Sequence, residues 1–444
     1  MVEVKNKKIF IETYGCQMNF SDSEIVASIL TAQGFDNTNN ISDADFIFLN
    51  TCSIRENAEE RVRKRLQYLR SLKRRNPRLK IGLLGCMAER LKDELLKEEN
   101  SIDIIAGPDS YRDLPKLLQQ VETGFQAINT ILSADETYAD IVPVRYDSNG
   151  VSAFISIMRG CENFCAYCVV PYVRGQERSR DVISILSEAT DLFNKGYREV
   201  TLLGQNVNSY IFKNGTETTN FANLLAKVAM IHPNLRVRFA TSHPKDISDE
   251  LIQTIASHEN ICRSLHLPMQ SGSTAILSKM NRGYTREQYM ERIEAVRRII
   301  PGCAISTDII AGFCDETEED HLQTLSLMEW AGFDYAYMFR YSERPDTIAA
   351  INYKDNVTDE IKERRLNEII SLQQKLSFQS NNRDIDSIFD VMIEGFSKRS
   401  RDHFSGRNSQ NKVVVFPKTD NKPGDYVKVK ILHVTSATLI GNVV

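Results

Sequence analysis

Three cysteines within eight residues, Cys161, Cys165 and Cys168, are the groups in this chain best suited to metal chemistry. They stand in Arg159-Gly160-Cys161-Glu162-Asn163-Phe164-Cys165-Ala166-Tyr167-Cys168, and the next His and Cys are His232 and Cys262. A structural zinc site wants four soft ligands closing a tetrahedron, so a lone trio suits zinc poorly. Three thiolates do suit a cubane iron–sulfur cluster, with one iron left open for a substrate or cofactor. Three core cysteines clustered by chance are the alternative, and the tight spacing disfavours it.

A second set is spread out but regular. Cys16, Cys52 and Cys86 follow Tyr14-Gly15, Asn50-Thr51 and Leu84-Gly85, 36 and 34 residues apart. That interval is close to one strand–helix unit, and each cysteine closes a stretch of strand character. Parallel strands put their C-terminal ends on one edge, where α/β sheets bind ligands. The thiols are therefore expected to converge as a second three-thiolate site. Buried structural cysteines are the plain alternative, with a zinc or redox site behind the cluster. Cys262 and Cys303 are assigned to the core. Cys314, in Gly312-Phe313-Cys314-Asp315-Glu316, is placed at the active edge without a required role.

The elements that must position these residues follow from periodicity. Strands are expected at 9–13, 46–49, 79–84 and 102–106, with helices at 21–33, 55–75, 89–98 and 112–121. This alternation predicts a parallel α/β sheet domain over 1–125. The pattern fades over 126–149, read as a linker. Over 150–380 a second series has strands at 153–158, 199–203, 236–240, 264–267, 304–310 and 335–340, and a last helix at 359–379. Six strand–helix units predict an open (β/α)6 barrel, with its chemistry on the loops after the strands. Those loops carry Gln205 and Asn206, Ser242 and His243, Gln270 and Ser271, and Tyr341-Ser342. Over 381–444, short alternating segments and turns such as Lys422-Pro423-Gly424-Asp425 predict a small antiparallel β-barrel, OB-like.

At 444 residues two or three domains are expected. A hydrophobic content of 42% and a charged content of 26% are those of a soluble protein. No apolar run reaches membrane-spanning length, and nine cysteines without a disulfide pattern fit a reducing, cytoplasmic setting. A net charge of −4 argues against a uniformly basic nucleic-acid binder. Local patches remain: residues 383–444 hold ten Lys and Arg against seven Asp and Glu. There, Lys398, Arg399 and Arg401 lie beside His403 and Phe404, the basic–aromatic mixture of RNA binders. Arg61, Arg63, Lys64, Arg65, Arg70, Lys73, Arg74 and Arg75 form a second tract, either a solvated helix face or a phosphate-contacting surface.

Cys-x3-Cys-x-aromatic-Cys, with Tyr167 in the aromatic slot, resembles the signature of radical S-adenosylmethionine enzymes. With the N-terminal cysteines and a C-terminal barrel similar to the TRAM domain, the whole chain resembles the methylthiotransferase family. Tyr14-Gly15-Cys16-Gln17-Met18-Asn19, Asn50-Thr51-Cys52-Ser53-Ile54-Arg55-Glu56 and Met280-Asn281-Arg282-Gly283-Tyr284-Thr285 resemble its branch acting on N6-dimethylallyladenosine 37 of tRNA. The branch acting on N6-threonylcarbamoyladenosine 37 usually has Lys in place of Gln17 and Thr in place of Ser53. The branch acting on a ribosomal protein differs after the first two cysteines. Phe313-Cys314-Asp315 departs from the Phe-Pro-Gly common in the family.

The resemblance implies insertion of a methylthio group at C2 of that nucleoside by radical chemistry. It implies one [4Fe-4S] cluster on Cys161, Cys165 and Cys168, which binds and cleaves S-adenosylmethionine. A second cluster on Cys16, Cys52 and Cys86 carries the sulfur, and two S-adenosylmethionine molecules are used per turnover. Tyr167, Gln205, Asn206, Ser242, His243, Gln270 and Ser271 are candidate cofactor contacts; Lys398, Arg399 and Arg401 are candidate RNA contacts. Expected partners are tRNA, an electron donor such as flavodoxin or ferredoxin, and a sulfur donor, with a monomeric protein and no membrane. An aromatic C2–H bond is out of reach of polar acid–base catalysis, and the base must leave the anticodon-loop stack to react. The alternatives are the threonylcarbamoyladenosine enzyme and, in another class, a non-enzymatic metal-containing RNA-binding protein with closed four-ligand sites.

Overall fold

The computed structural model describes residues 6–53, 56–98, 101–145 and 149–444. The chain forms two compact units, Met1–Asp147 with Ser156–Glu162 and Cys168–Ser184, and Ser148–Ile155 with Asn163–Tyr167 and Ile185–Val444.

The first unit begins with β1 (Lys8–Thr13), α1 (Gln17–Thr31), β2 (Asp36–Asn37), β3 (Phe46–Thr51) and α2 (Glu56–Arg75). It continues through β4 (Lys80–Gly85), α3 (Cys86–Glu98), β5 (Ile104–Ala106), α4 (Leu114–Glu122) and β6 (Ala127–Asn129). The strands pair in parallel in the order β2-β1-β3-β4-β5-β6. Every residue of β3 is buried, as a central parallel strand covered on both faces must be. Ile25, Val26 and Leu30 of α1 pack with Leu114, Leu117 and Val121 of α4 on one face. Val62, Leu66 and Leu69 of α2 pack with Met87 and Leu95 of α3 in the other core. Strand order reverses between β1 and β3, the switch point where such sheets bind ligands.

Two expectations change here. The helices expected at 21–33 and 89–98 start earlier, at Gln17 and Cys86. Cys16 and Gly85 stand where Ser, Thr, Asp or Asn usually signal a helix start, so the side-chain capping cue was missing. Within 126–149, expected as a linker, residues 127–129 add β6 to the sheet, and side chains between 136 and 145 anchor to the first unit. Tyr138 is buried and stacks on Tyr111, its hydroxyl bonded to Tyr111 N and Pro108 O. Arg112 pairs with Glu136 and Asp140, and Arg145 with Glu24. An edge strand followed by an extended wrap has no periodicity to read, because single anchoring side chains hold it.

A short ladder of β8 (Met158–Arg159) with β9 (Arg178–Ser179), and the helix α5 (Val170–Arg174), flank the 161–168 loop. The open barrel is built from β7 (Ser152–Ser156), α6 (Val182–Asn194), β10 (Glu199–Leu203), α7 (Phe221–Ala229), β13 (Arg236–Ala240) and α8 (Asp249–Ser257). Its other half has β14 (Ser264–His266), α10 (Arg286–Ile299), β15 (Ala304–Ala311), α11 (Glu318–Ala331) and β16 (Tyr335–Arg340). The strands form two parallel half-sheets, β13-β10-β7 and β14-β15-β16, joined by a Val237–Ile261 bridge. The hairpin β11 (Ile211–Asn214) and β12 (Glu217–Asn220), α9 (Thr274–Lys279) and α12 (Ile348–Asn352) were not expected, being too short to show a period. From α13 (Asp359–Asn382) the chain enters the last barrel.

That barrel is closed in the order β17-β18-β19-β21-β20, with β17 (Ile388–Ser397), β18 (Ser400–Arg407), β19 (Val413–Pro417), β20 (Tyr426–Val434) and β21 (Leu439–Val443). Expected as wholly antiparallel, it has one parallel pair, β19 with β21. These two strands are separated by one intervening strand and so run the same way. The barrel seats on the N-terminal ends of the open-barrel strands. Arg236 and Arg238 donate to Arg407 O (2.6 Å) and Asn408 O (3.0 Å), and Gln410 donates to Gly302 O (2.7 Å). The strand C-terminal ends are left to the loops. Among the described residues, no helix is long and apolar enough to cross a membrane.

Candidate active site

The N-terminal thiols lie where neighbouring parallel strands end: Cys16 after β1, Cys52 after β3, and Cys86 at the start of α3 after β4. Two glycines permit this crowding. Gly15 has φ +113° and a Cβ there would overlap Cys52; Gly85 has φ +86° and its Cβ would lie 2.5 Å from Asn50 Oδ1. Buried Asn50 ties the edge together, donating to Asn19 O at 2.8 Å and Ser23 Oγ at 2.9 Å. A hydrogen bond with Cys52, helped by Arg174, holds the Cys16 thiol down at about 6 against burial. Burial pushes the Cys86 thiol up, opposed by Arg174. The guanidinium of Arg174 donates to Cys86 Sγ (3.3 Å), Asn19 Oδ1 (3.1 Å) and Asp22 Oδ2 (2.8 Å). Helix N-termini and a cation favour thiolates, so this edge suits a soft metal or cluster. Among the described residues, no three His, Cys, Asp or Glu side chains close on one point as a single ion requires. Thiolates on different irons of a cluster need no such shared centre.

The 161–168 loop follows β8. Gly160 has φ +80°, where a Cβ would overlap the Gln176 carbonyl, and Cys161 N–H donates to Gly175 O at 3.1 Å. Cys161 and Cys168 belong to the first unit and Cys165 to the second. In the second unit, Arg282 Nη1 donates to buried Cys165 Sγ at 3.1 Å and reaches the Tyr167 hydroxyl at 3.4 Å. Its Nη2 donates to Pro268 O at 3.1 Å. Asn281 donates to Phe164 O at 2.9 Å, and Ala166 N–H to Met280 O at 2.8 Å. The stretch 280–282 thus fixes the backbone around Cys165 and occupies Tyr167.

The ends of the open-barrel strands hold buried polar atoms that have no hydrogen-bond partner among the described residues. These are Gln205 Oε1 and Asn206 Oδ1 after β10, Ser242 Oγ and His243 Nε2 after β13, and Gln270 Oε1 after β14. Each such group costs ~1–3 kcal/mol when buried unpaired, so their accumulation on one rim fits a polar ligand. Thr241 and Gln270 on the same rim hold φ of +73° and +65°, conformations that L-residues with side chains rarely adopt and that gather at functional sites. Burial, with Arg282 and Lys245 nearby, pushes the His243 imidazole down to about 2, so it is neutral. Ser271 differs from its neighbours: its hydroxyl accepts from Ser273 N–H at 3.2 Å and lies 3.4 Å from Thr324 Oγ1, bracing the turn before α9.

Residues 8–107 match the model described as Uncharacterized protein family UPF0004, residues 155–328 the Radical SAM superfamily and residues 385–444 the TRAM domain. A tRNA-2-methylthio-N(6)-dimethylallyladenosine synthase of Amoebophilus asiaticus is 57% identical over 98% of this chain and 92% of its own length. Synthases of that name from Parabacteroides distasonis and Chloroherpeton thalassium are also 57% identical, over 98% of this chain and 95% and 96% of theirs. The chain belongs to this synthase family. It is a radical S-adenosylmethionine enzyme, and these relatives favour neither alternative reading. Its fold is similar to that of the radical S-adenosylmethionine methyltransferase TsrM from Kitasatospora setae, with a TM-score of 0.57 and 13% identity over 78% of this chain and 75% of that one. The cobalamin-dependent S-adenosylmethionine radical enzyme OxsB gives 0.54 and 14%, over 83% and 56%.

For a member of the synthase family, the residues missed by sequence reasoning are informative. Arg282 lay in a quoted motif, but only the fold brings it to Cys165; Arg174 gave no signal. Another group lies inside the open barrel, where β14, β15 and β16 align His266 with Ser306 and Tyr335, and Asp308 with Tyr337. His266 is 3.0 Å from Ser306 Oγ and 3.4 Å from Asp308 Oδ2, edge-on to the Tyr337 ring. Tyr335 and Tyr337 are about half exposed. The cue was visible: Ser306 and Asp308 alternate with fully buried residues along β15.

Lys398, Arg399 and Arg401 are exposed around the β17–β18 turn and make no ion pair among the described residues. Phe404, expected beside them as an RNA-facing aromatic, is instead buried in the barrel core because it alternates inward on β18. The exposed ring there is Phe396, with Lys418 Nζ 5.5 Å from its centre. Lys412, Lys428 and Lys430, by contrast, pair with Asp384, Asp390 and Asp386. On α2, Arg63, Arg65 and Lys73 pair with Glu94, Glu12 and Asp103, which favours the plain reading for that tract. Cys314 is buried, and Asp315 takes φ +61° where the family commonly has Gly, anchored by Lys279 at 2.8 Å. Ile54 and Arg55 of the second motif lie outside the described residues.

Proposed function

We propose that this chain inserts a methylthio group at C2 of N6-dimethylallyladenosine 37 in tRNA. The observation that carries this is end-to-end likeness, 57% identity over 98% of the chain, to synthases named for that nucleoside. Cys161, Cys165 and Cys168 are assigned to one [4Fe-4S] cluster and Cys16, Cys52 and Cys86 to a second. When bound, these clusters with S-adenosylmethionine supply a radical able to take the C2 hydrogen and the sulfur that replaces it, two S-adenosylmethionine molecules being used per turnover.

The chain's own residues bind and orient. Gln205, Asn206, Ser242, His243 and Gln270 offer unpaired polar atoms to S-adenosylmethionine. A neutral His243 does so without setting a second positive charge beside the sulfonium. Arg282 holds Cys165 and Tyr167 in place. On the inner face of the open barrel, Tyr335 and Tyr337 provide stacking surfaces and Asp308 an acceptor for an exocyclic N–H, as suits a base drawn out of a stack. Lys398, Arg399 and Arg401 meet phosphates. An electron donor such as flavodoxin or ferredoxin, a sulfur donor, a monomeric state and a cytoplasmic location complete the reading. Nucleoside analysis of tRNA from a deletion strain tests it. N6-dimethylallyladenosine should accumulate without its methylthio derivative; loss of methylthio from the threonylcarbamoyl nucleoside instead overturns the substrate.

A further inference from the structure

Around the N-terminal thiols the buried charges do not cancel. Arg159, Arg174 and Arg178 are each at most 6% exposed. They share two carboxylates: Arg159 and Arg174 reach Asp22 at 2.9 and 2.8 Å, and Arg178 reaches Asp109 at 3.1 Å. Glu89, a third buried carboxyl, is pushed up to about 7 by burial and is no firm anion. Leaving the thiols aside, these groups carry one positive charge in excess among the described residues, and a buried charge without a counter-ion is strongly unfavourable.

The surplus is best placed at Arg174. Its Nη1 is buried with no hydrogen-bond partner among the described residues, while its Nε donates to Cys86 Sγ at 3.3 Å. Asn19 Oδ1, which accepts from Arg174 Nη2 at 3.1 Å, is also 3.6 Å from Cys16 Sγ, its donor. One guanidinium is therefore tied directly or through one amide to two of the three thiols. Arg159 also has nitrogens without a hydrogen bond among the described residues, but its guanidinium lies over the Tyr138 ring at 4.8 Å and its Nε is 3.7 Å from Asp109. Arg174 ends the short helix that begins just after Cys168, so the chain segment bearing a thiol of one site also supplies the cation of the other.

We propose that Arg174 is a positioning residue and counter-ion of the N-terminal three-cysteine site, balancing an anionic cluster there and fixing Cys86 and, through Asn19, Cys16. This rests on the reading of those cysteines as cluster ligands. The reduction potential of an iron–sulfur cluster follows its net charge and the hydrogen bonds to its sulfurs, and Arg174 supplies both. A neutral side chain at this position makes the cluster harder to reduce. Lysine keeps the charge but lacks the planar fork that serves Cys86, Asn19 and Asp22 together.

The test uses the full-length chain with Cys161, Cys165 and Cys168 changed to Ala, reconstituted anaerobically so that only the N-terminal cluster remains. Iron and sulfide analysis comes first: a parent chain that takes up no four-iron cluster overturns the cysteine assignment rather than the role of Arg174. With the cluster present, EPR-monitored redox titrations compare the parent with Arg174→Gln and Arg174→Lys. The Gln variant is expected at a clearly more negative midpoint potential, and the Lys variant in between with an altered line shape. A folded Gln variant that loses its cluster, with uptake restored by Lys, also supports the role. Equal potentials in the parent and the Gln variant overturn it. If circular dichroism shows that the Gln variant does not fold, the Lys variant decides: a potential and line shape identical to the parent's overturn the proposal.

Discussion

A cysteine ligates metal as its thiolate, and most of what surrounds the cysteines here acts on that charge. Arg174 and helix ends attend the N-terminal trio, and Arg282 attends Cys165. The chain reconstituted anaerobically should carry two four-iron clusters, one after Cys161, Cys165 and Cys168 are changed to Ala, and none after all six are changed. Iron and sulfide analysis checks the counts; two clusters in the first variant would refute the ligand sets. His243 gives a prediction in pH. Its imidazole is pushed down to about 2 in the folded chain, from an ordinary 6.5 when unfolded. Between these values the unfolded chain binds a proton that the folded chain refuses, so stability falls as pH falls. By pH ~5 the loss is on the order of 2 kcal/mol. His243→Asn should flatten the pH dependence of the melting temperature between pH ~5 and ~7, and an unchanged slope would show that burial does not hold the imidazole neutral.

At the scale of elements, the N-terminal site depends on how closely β1, β3 and β4 bring their ends together. Gly85 and Gly34 have nearly the same φ, +86° and +85°, but a Cβ at 85 meets Asn50 and the Thr51 carbonyl while a Cβ at 34 meets open space. Gly34→Ala should cost ~1–3 kcal/mol for the backbone alone. Gly85→Ala should cost more and also lower iron uptake by the N-terminal trio, read as lost iron in the chain that lacks the 161–168 cysteines. Equal melting temperatures and equal iron in the two variants would deny that the close approach matters. In the open barrel an alternation runs through β15, where Ile305, Thr307 and Ile309 are buried while Ser306 and Asp308 stay partly open.

Across the whole molecule, the seat of the last barrel changes how RNA binding is best probed. Its contacts to Arg236, Arg238 and Gly302, and the Lys412–Asp334 pair, mean that removing it uncovers buried cations as well as RNA contacts. Lys398, Arg399 and Arg401 lie clear of that seat. Changing all three to Ala should weaken tRNA binding and flatten the plot of log affinity against log salt by up to ~2–3 units of slope, since each phosphate contact contributes ~0.7–0.9. Unchanged affinity and slope would leave the turn as a solvated face. Unfolding free energy should stay within ~0.5 kcal/mol of the parent, as for most surface changes.

The sequence by itself determined the α/β class, the two cysteine trios and the strand ends that carry polar groups. It could do so because strand–helix periodicity and Cys spacing are local properties, and parallel strands leave their C-terminal ends on one edge. Local signals also named Gln205, Asn206, Ser242, His243 and Gln270, but only the packed rim separates their unpaired atoms from the occupied hydroxyl of Ser271. Tertiary structure alone decided that 127–129 joins the first sheet, that Phe404 turns into a core, and that Arg174 and Arg282 reach the thiols. Each depends on partners far away in the chain: Arg174 stands 88 residues from Cys86 and Arg282 117 from Cys165. A guanidinium next to distant residues has no period and no spacing, so only the fold shows which sulfur it meets.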